Sequence, residues 1–402
     1  MDIQDRRSAL RFIAILMLIS PIEHFGFDIS APALPMIRDD FGTTNQIVQH
    51  SMTLYSLGLA LVLLPLGLAA DALGRKKLLV AAMCAVLVTS LGCAFANSMP
   101  LLLTLRFLQG IGAGTCFLLV GVVAADHFRG SQLVSVYGLL TASWASALVV
   151  APLIGGYTAQ LLSWRWIFVL FAVFVAAVLV LTLRFLPETL PANRRSPIDL
   201  RATATVIRDA FSNPRFVGFT VMFSLIGGSQ MMFSTAGPFL YQDILGFAPS
   251  EYGLVTVLIG LTDMVGSLAC SWLAARMSLT WLANGALIIF AVGAAMLVTT
   301  ARTQSFTASS IAIGSMIAML GIGLLDPLSK GQAMGVFTEN IGLISALVFT
   351  VCFLFDTVSV AVLAVLPEED PEPLGWSYAV TAILFAALFY LVRRRSRHSD
   401  PV

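Results

Sequence analysis

Apolar positions in this chain come in long unbroken runs, separated by short breaks that carry the charges and most of the prolines. The runs fall at roughly 12–36, 48–70, 78–96, 101–125, 135–160 and 165–186, and again at roughly 216–240, 250–274, 281–300, 306–328, 340–366 and 375–392. Each is long enough for a helix to cross a hydrocarbon core about 30 Å thick at about 1.5 Å per residue. Lipid offers no partner to a bare backbone, and period-two alternation is missing, so the runs predict helices rather than barrel strands. The pattern therefore predicts an all-α membrane protein with twelve transmembrane helices in two pseudo-symmetric six-helix bundles. The expected division is 1–186, a polar linker at 187–215, and 216–402 with a short basic tail.

Composition agrees with that pattern. Of 402 residues 58% are hydrophobic and only 11% are charged, against about 25% charged in soluble chains. The linker is too short and too polar to bury a core of its own. A net charge of +1 argues against nucleic acid as a partner, leaving the lipid bilayer and a small molecule, with a monomer as the expected state. Nineteen of the 23 Lys and Arg fall on the side shared by both termini and the linker, which the positive-inside rule makes cytoplasmic. The basic start of the chain has no A-x-A site after its apolar run, so it reads as a retained first span rather than a cleaved signal. The cysteines show no ligand spacing and read as small core residues, and no cofactor or metal is implied. Two equal halves on a basic linker point to a transporter with its substrate path at their interface.

The loop after the second run reads GLAADALGRKK, residues 67–77. Gly67 permits close helix approach and Gly74 a tight turn, while Asp71, at a helix C-terminus, needs a donor such as Arg75. The fourth run holds RFLQGIGAGTC, residues 106–116, and the fifth APLIGGY, residues 151–157. An arginine inside hydrocarbon faces a cavity or an acid, or snorkels to the surface, and both readings stand for Arg106. Pro152 bends its helix, and Gly155 and Gly156 let a neighbour slide past, although an ordinary kinked helix carries such residues too.

These stretches resemble the three signatures of the major facilitator superfamily, and the sixth run ends in LPET as that family's does. With DISAPALPMIRDDF (28–41) and AGPFLYQDILGFAPSEYG (236–253), the whole chain is similar to the twelve-span drug:proton antiporters, most of all to the bicyclomycin- and chloramphenicol-resistance subgroup. The resemblance implies that Gly67, Asp71, Gly74, Arg75 and Asp126 form a cytoplasmic gating latch. It also implies that Arg106 serves proton coupling and that Pro152, Gly155 and Gly156 form the antiporter element. Ala72 and Ala151 depart from the usual residues, and the second half carries fewer motifs.

The first run contains EHFGFD, residues 23–28, three ionisable groups where lipid tolerates few. Counted along a straight helix, Asp28 and Arg106 lie at one depth, so a pair between them is expected. His24 and Asp28 share a face, whereas Glu23 and Asp28 are about 140° apart, so one acid is expected to face the cavity and the other a helix neighbour. Buried acids near an arginine can load and release a proton, which assigns proton coupling to Asp28, Glu23 and Arg106; a purely structural network is the alternative. Asp28, His24, Tyr55, Trp144, Gln230, Met231 and Phe233 are the expected substrate lining, although residues of these types also serve as packing. Asp263 and Asp356 rank second, and Asp326 with Lys330 reads as an intrahelical pair.

The reading is a secondary active transporter in a bacterial inner membrane, exporting a small amphipathic drug or toxic compound in exchange for protons by alternating access. A dedicated exporter of an endogenous metabolite such as a siderophore is the rival. Uptake by symport fits the antiporter element less well. An enzyme would need a catalytic constellation, and the histidines show no HExxH spacing; a receptor would need a sensory domain.

Overall fold

The computed structural model describes residues 6–190, 200–303, 307–337, 339–366 and 370–399, of which the linker residues 191–199 are thus no part. Twelve helices among the described residues are long and apolar enough to span a membrane. The first six are Ala9–Phe41, Asn45–Gly67, Arg75–Ala94, Met99–His127, Ser135–Leu161 and Trp164–Phe185. The others are Pro214–Ile244, Pro249–Ala274, Leu279–Arg302, Ala308–Met334, Ile341–Leu363 and Glu372–Arg394. With an even number of crossings both chain ends share one face, called here the terminal face; the other is the distal face.

Local chemistry sets the helix ends. Thr44 Oγ1 accepts from Ile47 N at 3.3 Å to start the second span, and Asn213 Oδ1 accepts from Arg215 N and Phe216 N at 3.0 and 3.2 Å to start the seventh. Such caps satisfy amides that have no partner within the helix. Gly74, at φ 94, makes the turn into the third span, a backbone that a side chain would strain.

The first span is broken. Helices Arg6–Ile19, Ile22–Asp28 and Leu34–Phe41 are joined by Ser20–Pro21 and by a 3-10 turn at Ala31–Ala33. Pro21, Pro32 and Pro35 cannot donate amides to the helix ladder. The chain therefore presents free carbonyls at mid-membrane, and other spans use them.

Buried apolar side chains fall into two clusters. One is built almost wholly from the first six spans, the other from the last six and the helix Leu200–Ser212, whose Ala210 is buried and whose Val206 and Ile207 pack beside it. A few residues of the later spans, among them Met231, Ala346, Phe353 and Val360, belong to the first cluster. These mark the seam between halves, where the second span packs on the eleventh and the fifth on the eighth.

Candidate functional site

The short helix Ile22–Asp28 carries the three ionisable groups, each about 1% exposed. His24 lies between the acids, with Nδ1 3.4 Å from Glu23 Oε2 and Nε2 3.5 Å from Asp28 Oδ2. The long Glu23 side chain and the bridging imidazole bring the two acids into one cluster, where helical spacing set them on different faces. Trp144 Nε1 donates to Glu23 Oε2 at 2.9 Å, and the Trp144 ring packs on His24 at 4.3 Å. On the other side of the seam Ser234 Oγ donates to Asp28 Oδ1 at 2.9 Å. Asp28 Oδ2 has no hydrogen-bond partner among the described residues.

Arg106 does not pair with Asp28. Its Nη1 donates to the freed carbonyl of Gly26 at 2.9 Å and to Gln109 Oε1 at 2.6 Å, and its guanidinium lies over the Tyr55 ring at 4.4 Å. Gln109 Nε2 in turn donates to Ser90 Oγ at 2.7 Å. The depth argument assumed a straight first helix, and the break supplies a carbonyl where a carboxylate was expected. Snorkelling is also excluded, because Arg106 is 1% exposed. Gly110 faces the backbone of Tyr55, and Gly58 the backbone of Phe107, so the second and fourth spans touch main chain to main chain. A Cβ at either position would collide with a carbonyl.

A cavity of about 40 Å³ lies in the seam, room for roughly two or three water molecules. Its lining includes Gln230, Phe233, Ser234, Tyr252, Thr256 and Asp263. Of the expected lining, Gln230 and Phe233 reach the cavity. Tyr55 instead donates to the Glu23 carbonyl at 2.7 Å, Trp144 holds Glu23, and Met231 packs into the first cluster. Asp263, ranked second from its helix number, accepts from Gln230 Nε2 at 3.0 Å and sits in the wall. Ser234 carries no signal in the sequence, where Ser224 and Ser229 of the same run look just like it. Gln230 and Ser234 are one turn apart, so one face of the seventh span holds an acid from each half.

Some of the residues assigned to the latch lie together. Arg75 Nε lies 3.4 Å from Asp126 Oδ2, and Thr189 Oγ1 donates to the same oxygen at 2.7 Å. Glu188 of LPET accepts from the amides of Arg75 and Lys76 at 2.9 and 3.4 Å, a carboxylate at the positive end of the third span. A Cβ at Gly67 would meet Ala346 Cβ at 3.6 Å across the seam. The side chain of Asp71 lies outside the described residues. In the fifth span Gly155 abuts the Ile29 backbone at the break, and Gly156 abuts Pro249, while the Pro152 carbonyl faces Gly253. Among the described residues no ion pair joins Asp326 to Lys330; Nζ of Lys330 lies over the Phe349 and Phe223 rings at 4.9 and 5.9 Å. Two ring faces receive that ammonium, which stays within electrostatic reach of the Asp326 carboxyl.

The sequence model for the Major Facilitator Superfamily matches residues 16–360. The bicyclomycin resistance protein homolog of Haemophilus influenzae is 24% identical, covering 98% of this chain and 99% of its own. The chloramphenicol resistance protein CraA of Acinetobacter baumannii is 26% identical, covering 96% of this chain and 92% of its own. Among solved structures, a D-xylose-proton symporter superposes with a TM-score of 0.74 at 15% identity, over 93% of this chain and 97% of that one. That last likeness is one of fold.

Proposed function

The chain belongs to the Major Facilitator Superfamily, and from that premise we propose that this transporter exports a small amphipathic molecule in exchange for protons. Export runs outward through a bacterial inner membrane, with the terminal face cytoplasmic and the two bundles, 1–186 and 216–402, rocking about the seam. The observation that carries the reading is the Glu23–His24–Asp28 cluster. It is sealed from solvent, yet tied across the seam by Ser234 to the half that must move. A carboxylate in such a site is held only by its few donors, so a change in its proton occupancy changes what holds the closed seam. Protonation of Asp28 would remove the anion that Ser234 donates to, so proton occupancy and seam closure are linked. Drug efflux is supported by the resistance proteins among the relatives.

Arg106 enters as a positioning residue. It fixes the Gly26 carbonyl and, through Tyr55, the Glu23 carbonyl, so the acid-bearing turn keeps its place. Pro152 and Gly156 meet the second half beside the cavity while Gly155 seats the fifth span on the first, and Gly67, Gly74, Arg75 and Asp126 serve as the latch near the terminal face, with Asp71 assigned there by motif. The cavity is too small for a drug, so binding requires the halves to part.

Inverted membrane vesicles energised with a proton gradient test this, with chloramphenicol and a panel of cationic dyes as probes. Wild-type protein should accumulate a probe and release protons when it is added. Asp28→Asn should abolish proton release and cut accumulation at least tenfold. Proton-independent accumulation by the wild type, or an Asp28→Asn variant that still exchanges protons, would refute the assignment.

A further inference from the structure

Asp356, in the eleventh span, rests on the proton-coupling reading above but extends it to the other half. The residue is 2% exposed, and its Oδ1 has no hydrogen-bond partner among the described residues. A carboxyl kept in hydrocarbon without a donor is expensive, and packing alone would be served better by leucine or alanine.

Neighbours on the helix show which way it faces. Phe353 and Val360, three residues before and four after, share its face. Both belong to the apolar cluster of the first half although they sit in the second. Phe353 also meets the Phe117 ring of the fourth span at 5.7 Å. Opposite, the seventh span is stripped to glycine: a Cβ on Gly227 would stand 3.1 Å from Asp356 Oδ1 and 2.9 Å from Cys352 Sγ. Met231, one turn beyond Gly227, is again part of the first cluster. The carboxyl therefore sits on the seam. Within reach of its charge are Glu23 and His24 from the first span, Asp326 from the tenth, and Cys352 on its own helix.

We propose that Asp356 is a second proton-carrying carboxylate, supplied by the second half and paired across the seam with the Glu23–His24–Asp28 cluster. Glu23 and Asp326 then lie within range of its charge in a dry site, with the His24 imidazole held between Glu23 and Asp28, and like charges in low dielectric cannot all persist. Glu23 has the Trp144 donor and Asp28 the Ser234 donor, and both lie beside His24. Asp356 Oδ1 has none of these, so Asp356 is the acid that keeps its proton while the seam is closed. Parting the bundles takes it away from Glu23 and into water, where the O–H bond breaks and the proton passes to solvent. Closure then requires that Asp356 take a proton up again.

Infrared difference spectra of the full-length protein in liposomes, between alkaline and acid pH, read carboxylic-acid C=O bands without any substrate. Asp356→Asn should remove one band that wild type, Asp28→Asn and Glu23→Gln all retain. Gly227→Ala keeps every acid but presses on the Asp356 carboxyl, and should shift that same band. An Asp356→Asn spectrum matching wild type overturns the proposal. Should Asp356→Asn fail to fold, an unshifted Gly227→Ala spectrum overturns it equally. If Asp28→Asn and Glu23→Gln each lose no band while Asp356→Asn does, the coupling role of the first half fails and the Asp356 proton stands.

Discussion

The seam between the halves is closed by different means at its two ends. Near the distal face it is main chain on main chain: Gly156 lies against Pro249 and Gly253 against the Pro152 carbonyl, and Gln242 Nε2 donates to the Pro32 carbonyl at 2.8 Å. Toward the terminal face it is side chain on side chain. Phe117 of the fourth span meets Phe349 and Phe353 of the eleventh edge-on at 4.8 and 5.7 Å, with Lys330 over Phe349. Glycine contacts leave no slack, because separation exposes backbone and compression meets hard carbonyls. Ring contacts can part and re-form without stranding any hydrogen bond. The distal end is therefore the firm closure of this conformation, and the terminal end the one that yields first.

The largest effect should come from filling a bare contact. In Gly156→Val a Cβ must displace the Pro249 carbonyl, and overpacking of this kind costs about 1–3 kcal/mol. Two readouts should move together: thermal unfolding of the detergent-solubilised protein at lower temperature, and transport reduced at least tenfold. A variant with wild-type melting and transport would show that the distal contact has slack after all. Phe117→Ala attacks the softer end. Edge-to-face pairs contribute about 0.5–1.5 kcal/mol beyond their area, so terminal opening should rise by roughly two- to tenfold with little change in melting. A cysteine placed at Thr256, in the cavity wall, would report this as faster labelling from the terminal face over the parent protein. Faster labelling from the distal face instead would reverse the comparison.

The same contrast explains what could be read in advance. Span number follows from apolar runs, and the turn at Gly74 and the close helices at Gly110 follow from residues that only one geometry suits. Side-chain partners of the acids did not follow, because they depend on where the first span breaks and how each helix is rotated. A straight first helix gives Asp28 to Arg106; the break at Pro21 and Pro32 gives Arg106 the Gly26 carbonyl instead. Asp263 was demoted by its helix number, yet rotation of the eighth span turns it to Gln230. An apolar helix whose few polar residues are scattered round it has no polar stripe to fix its rotation, so Ser234 and Asp356 are equally silent about the seam in the sequence. Glu188 is similar: LPET marks the end of a span in sequence, while its service to the Arg75 amide appears only when two loops meet.

The smallest effect should come from a charged contact that crosses the distal end. Arg38 donates to Asp243, which belongs to a π-helical stretch, Leu240–Ile244, that also turns Gln242 toward Pro32. Arg38 is 21% and Asp243 32% exposed, and Arg38 keeps Asp39 and Asn45 as other partners at 2.7 Å. A pair this wet contributes about 0.2–1 kcal/mol, so Asp243→Asn should raise distal opening by only about one- to fivefold. Thr256→Cys labelling from the distal face would measure it. Salt should mimic the substitution in the parent, since about 1 M salt shrinks the screening length to about 3 Å, and should leave the variant unmoved. An opening of more than about tenfold would make the ion pair, rather than the glycine backbone contacts, the main distal lock. Gly156→Val would then be expected to act only through local crowding at Pro249, and the firmness attributed to main-chain contact would belong to charge.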